Sequence, residues 1–200
     1  NLESGLAATA EDENAPEVEI TFHSFELSPD TPVDFDGDEL DFLAGHKGMP
    51  RERVQEMLEN VTGVAANAGL EYRFDLLQHT NTVKAHELLH FANAEGRQHE
   101  MAERLMSAYF TEGRHVGRVD DLVALAAEVG LDADAARDAL ESNRHLADVR
   151  ADQAQAQAYG IQGVPFFVID GTYGVSGAQP PEAFAQIARQ VWAEKAEKQG

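Results

Sequence analysis

Two hundred residues with 43% hydrophobic content suit one domain, or a domain carrying a subdomain insertion. Thirty-six acidic residues against fifteen basic ones leave a formal net charge of −21, which disfavours nucleic-acid binding because phosphate contacts need clustered Lys and Arg. The chain has no cysteine, so it has no disulfide framework and no thiol chemistry of its own, and no apolar run approaches the roughly 18 residues of a membrane span.

In chain order, Leu2, Leu6 and Ala10 recur at helical spacing, so Asn1–Ala10 reads as the tail of a helix. Glu11–Pro16 reads as a polar loop. Val18–Phe25 alternates with period two and predicts a strand, with Val18, Ile20 and Phe22 on one face. Ser28–Asp38, holding Pro29, Pro32 and Gly37, predicts a loop. Pro50 opens and Gly69 closes a long helix, with Val54, Met57, Leu58, Val61 and Ala65 inward. Tyr72–Phe74 reads as a short extended piece. Helices follow over Thr82–Glu95, Gln98–Thr111, a segment capped by Asp120, a segment capped by Asp132, and Asn143–Tyr159. Pro165–Ile169 predicts a buried strand, Asp170-Gly171 a two-residue hairpin, and Thr172–Ser176 the return strand. A last helix begins after Pro180-Pro181, with Phe184, Ile187, Ala188, Val191 and Trp192 inward.

An early strand, a late hairpin and several helices between them fit an α/β sheet split by a helical insertion. Acid spread along the whole chain predicts a uniformly acidic surface, tolerated where salt screens self-repulsion. The expected setting is the cytoplasm of a high-salt-adapted organism. Asn1–Leu6 shows neither the basic start nor the apolar stretch of a signal peptide. Neither nucleic acid nor membrane is expected as a partner.

Two motifs carry possible chemistry. In Gly163-Val164-Pro165-Phe166-Phe167, a proline at a strand entrance cannot donate to a ladder. A cis Val164–Pro165 bond is one way to make that turn, and it leaves the Val164 backbone free to pair with an extended ligand. An ordinary trans proline is the other reading of the same residues. In His86-Glu87-Leu88-Leu89-His90, histidines at i and i+4 enclose a glutamate, the pattern of zinc hydrolases. The competing reading is one histidine at the border of the apolar face and one exposed. No metal is expected, with His86, Glu87 and His90 as the alternative zinc set.

Taken together, these motifs resemble a family. Phe22-His23-Ser24-Phe25-Glu26-Leu27, Asn81-Thr82 leading to His86 and His90, Tyr109–Gly113, Gly160–Ile169 and Val175–Gln179 are similar to the DsbA-like group that includes FrnE and 2-hydroxychromene-2-carboxylate isomerase. The resemblance covers nearly the whole chain. It implies a thioredoxin-like α/β fold with a large all-helical insertion: a core over 1–36 and 143–200, and an insertion over 37–142. It implies a cis proline at Pro165 and makes the zinc pattern a coincidence. It also implies that a first strand ending in a Cys-x-x-Cys turn belongs before Asn1, so the sequence is expected to lack its N-terminal strand and redox turn. A chain shortened before its first residue, cleavage, and a natively turnless binding module are the three explanations open at this point. The implied activity is thiol–disulfide exchange on a peptide or small-molecule substrate, without a cofactor. No catalytic residue is expected in these 200, and substrate contact is expected at Val164, Pro165, Asn81 and His86. The isomerase branch, which binds glutathione, is the alternative. A homodimer is a further expectation.

Overall fold

The structure, a computed structural model, describes residues 1–10, 12 and 18–199, with side chains to 197. Of the polar loop expected over Glu11–Pro16, only Asp12 falls within them. The chain divides into two compact units, 1–20 with 157–200, and 21–156.

The first unit holds helix α1 (Leu2–Ala7), strands β1 (Phe166–Ile169) and β2 (Tyr173–Ser176), and helix α9 (Pro181–Gln199). The strands are antiparallel, pairing Phe166 with Ser176 and Ile169 with Tyr173. Three residues therefore connect them, where two were expected. Asp170 and Gly171 both take positive φ, 54° and 63°, as the primed hairpin turn requires. Phe167 packs edge-on against Phe184 of α9, with ring centroids 4.8 Å apart. Gly5 lets α1 press on α9: a Cβ there would meet the Pro181 carbonyl oxygen at 2.4 Å and Phe184 at 2.8 Å. Phe184 and Val191 are buried as expected and Ile187 and Ala188 are half-buried, but Trp192 faces solvent at 41% exposure.

The second unit holds α2 (Glu39–Lys47), α3 (Arg51–Asn67), α4 (Val83–Ala94), α5 (Gln98–Phe110), α6 (Val119–Glu128), α7 (Ala133–Glu141) and most of α8 (Leu146–Ala158). Its main core is built where α4 to α7 meet, around Leu88, Met101, Leu122, Leu125 and Leu140. Chain punctuation sets the helix ends. Gly96 and Gly130 adopt left-handed φ of 68° and 80°. The next amides then turn back, Arg97 N–H to the Ala92 carbonyl at 2.7 Å and Leu131 N–H to Ala126 at 3.1 Å. Asp132 caps α7, accepting from the Ala135 N–H at 2.8 Å. Asp120 does not cap α6. Arg118 is its N-cap and Asp120 sits in the first turn. On α3, Val54, Leu58 and Ala65 are buried, whereas Val61 is 40% exposed.

The strand expected over Val18–Phe25 does not form. No ladder pairs with it among the described residues, and Phe22 is 36% exposed. A strand is a relation between two segments, and here helix-borne side chains supply the partners. The Gln98 carboxamide bonds both backbone polar groups of Phe22, and Asp152 accepts from the Ser24 N–H.

Candidate functional site

In the first unit, α8 runs out through Gly160 into the loop Ile161–Pro165 and then β1. The Val164–Pro165 peptide bond is cis. Having no N–H, Pro165 cannot donate, but its carbonyl accepts from Gly177 N–H at 2.9 Å and extends the hairpin by one bond. Gly160, Gln162, Val164, Pro165, Ser176 and Gly177 line an open depression of about 390 Å³. Val164 stands at its rim, 49% exposed. An extended molecule lying in it meets backbone and an apolar wall, without a charged side chain in the lining.

In the second unit, the segment 22–27 is bound to α4, α5 and α8 by a polar network. The Asp152 carboxylate is its hub. Its Oδ1 lies 2.8 Å from His23 Nδ1, and its Oδ2 accepts from the Ser24 N–H at 2.7 Å and lies 3.1 Å from His90 Nε2. Ser24 Oγ is also 3.1 Å from the same His90 nitrogen. A serine, histidine and aspartate thus meet, but through a single ring nitrogen. A nucleophilic relay needs the serine and the carboxylate on opposite nitrogens, so this geometry organises the segment and does not activate Ser24. Glu26 is buried and paired with Arg150, and its Oε2 accepts from Gln153 Nε2 at 2.6 Å.

His86 sits beneath this network. Burial holds its pKa below the usual imidazole value of 6.5. Glu26 opposes that shift, the neighbouring His90 reinforces it, and Asp152 and the backbone of Phe25 oppose it. Its Nδ1 is buried without a hydrogen-bond partner among the described residues. Asn81 has its amide committed elsewhere: Nδ2 donates to the Pro29 carbonyl at 2.9 Å and Oδ1 accepts from Val83 N–H at 2.9 Å. It therefore ties the 29–32 turn to the start of α4.

The three residues of the zinc pattern are dispersed. Glu87 is 1% exposed and faces inward, where Lys84 Nζ donates to it at 2.8 Å. His90 is not the exposed residue expected, because it is engaged by Asp152 and Ser24. Among the described residues, His86, Glu87 and His90 do not gather donor atoms within 4.8 Å of one another. Asp152, Gln98 and Glu26 were not singled out from sequence. The one available signal was Asp148 and Asp152 at i and i+4, facing one side of an otherwise Ala- and Gln-rich helix.

Comparison with known proteins decides the family. The family model of the DSBA-like thioredoxin domain matches residues 3–188. The chain belongs to that family. A solved relative, a probable DsbA oxidoreductase from Streptomyces coelicolor, is 38% identical. It superposes with a TM-score of 0.86 over 96% of this chain and 82% of that one. An uncharacterized Bacillus subtilis protein, YwbO, is 33% identical over 186 residues, 90% of this chain and 86% of the relative. A putative protein disulfide isomerase from Nitrosomonas europaea, 19% identical with a TM-score of 0.60 over 74% of this chain and 76% of that one, shares the fold. The architecture is therefore the DsbA-like thioredoxin fold, mostly helical with a small sheet. Among the described residues, no helix is long and apolar enough to cross a membrane.

Proposed function

We propose that the protein is a FrnE-type thiol–disulfide oxidoreductase whose redox-active cysteines lie outside these 200 residues. One observation carries the reading: a chain matched from residue 3 to 188 by the DsbA-like family holds no cysteine. Disulfide exchange needs a thiolate that attacks one substrate sulfur and expels the other as a thiolate, and a second thiol that resolves the mixed disulfide. Both sulfurs must come from elsewhere in the natural protein.

The part of these residues is to receive the substrate. The backbone of Val164, a residue exposed at the rim, offers hydrogen bonds to an extended peptide or small molecule, and Pro165 shapes the wall of the depression. Within the second unit, His86 is a neutral imidazole in this reading, and Asn81 acts by fixing the 29–32 turn. No cofactor is required. The surplus of acid over base, −21 in net charge, supports a setting in a salt-rich cytoplasm, and a homodimer fits the proposal.

Insulin reduction by a dithiol tests the activity. The natural protein should accelerate it over the uncatalysed rate, and the 200-residue chain should not. Equal rates from the two would overturn the assignment.

A further inference from the structure

The register of β1 and β2 pairs Phe166 with Ser176, so Pro165 stands opposite Gly177. Residues facing each other in an antiparallel ladder alternate between pairs that exchange two hydrogen bonds and pairs that exchange none. The Gly177 N–H reaches the Pro165 carbonyl at 2.9 Å. That makes 165 and 177 a hydrogen-bonded pair, and it turns the polar backbone groups of Ser176 to the outer edge of β2. Pro165 has no N–H to return, so this pair is held by one bond instead of two.

The donor of that bond is braced from behind. Gln179, in the link from β2 to α9, donates from Nε2 to the Ser176 carbonyl at 2.8 Å. The Ser176 carbonyl and the Gly177 N–H belong to one planar peptide unit. The unit is thus gripped at both ends, at its oxygen by Gln179 and at its nitrogen by Pro165. A bond accepted by an amide oxygen also polarises the N–H of the same amide, so the two bonds strengthen each other.

We propose that Gln179 is a positioning residue for substrate at the Val164–Pro165 loop. The role rests on the reading of the depression as the substrate site. Ser176 and Gly177 line that depression and Gln179 does not; it acts through their shared peptide, which fixes the Pro165 carbonyl. The pyrrolidine ring sets φ at Pro165, so only ψ separates this carbonyl from the peptide that joins Pro165 to Val164. Holding the one orients the other, and with it the backbone that meets an extended chain. Gln179 touches none of the reacting sulfurs, so its effect falls on substrate binding and not on the exchange step.

The test uses the full natural protein. Gln179→Met keeps the length of the side chain and removes the donor. In insulin reduction by a dithiol, KM should rise about fivefold, the equivalent of one net hydrogen bond, with kcat little changed. Exchange of the Gly177 amide should accelerate, while that of Thr172, which donates to Ile169 at the far end of the hairpin, should not. Tyr173→Phe cuts a different tie, from the other end of β2 to Glu194 of α9, and should leave KM at the wild-type value. Should Gln179→Met fail to fold, Gln179→Glu, ionised at neutral pH, also lacks the donor, and the same outcomes apply. An unchanged KM in an active Gln179 variant would overturn the role. So would an equal rise in Tyr173→Phe, which would mark a general loosening of the hairpin. A wild type that reduces no insulin would instead remove the reading on which the role rests.

Discussion

Lys84 and Glu87, one turn apart on α4, form an ion pair of 2.8 Å whose carboxylate is 1% exposed. The lysine also donates to the Leu140 carbonyl and to Asn143 Oδ1, so it fastens α4 to the end of α7. Taking either charge alone leaves the other uncompensated in a low-dielectric site. Glu87→Ala should destabilise by about 3 kcal/mol in urea unfolding. The double change Lys84→Met with Glu87→Leu should cost less than the single one, because both charges leave together. A larger loss in the double variant would show that the pair contributes through more than mutual neutralisation.

The two aspartates expected as caps behave differently. Asp132 bonds the Ala135 amide at 2.8 Å, and Asp132→Ala should lower stability by about 1 kcal/mol. Asp120 lies inside the first turn of α6 with an 86% exposed side chain and an ion pair to Arg137. Asp120→Ala should change stability by less than about 0.5 kcal/mol. Chemical denaturation of the two variants side by side distinguishes them.

Burial lowers the His86 pKa from its ordinary 6.5. The folded state therefore binds this proton less tightly than the unfolded chain does. Above about pH 6.5 both states are neutral at this group and the shift has no effect. As pH falls below that value the unfolded chain takes up the proton first, so stability declines until the folded-state pKa is passed. His115, also lowered chiefly by burial, acts in the same direction. His86→Gln should flatten the acid side of the stability–pH curve, measured as the urea midpoint between pH 7 and pH 5. An unchanged slope would mean that His86 is not the source.

Local signals read the helices well, because proline, glycine and capping residues act on their own segment. Gly96 and Gly130, with their left-handed φ, follow directly on α4 and α6 and end them. Partnership was harder to read. Val18–Phe25 alternates like a strand, yet its hydrogen bonds go to Gln98, 76 residues away from Phe22, and to Asp152, 128 residues away from Ser24. Glu87 looked like a catalytic base between two histidines. It lies inward because Lys84, three residues earlier, accompanies it into the core. Trp192 follows the apolar period of α9 but points outward, since periodicity marks a face without saying how far along it packing extends. The Val164–Pro165 loop was legible because its residues are contiguous. The Asp152 network was not, because it is assembled from 23–24, 90 and 152.

Thiol titration of the denatured natural protein, purified from its own source after reduction, tests the central claim most directly. An oxidoreductase of this family with its redox turn outside these 200 residues predicts two titratable thiols per chain. None of them can arise from the 200, which contain no cysteine. Two thiols that become one disulfide on mild oxidation would match the account; a natural protein with no thiol at all would contradict it.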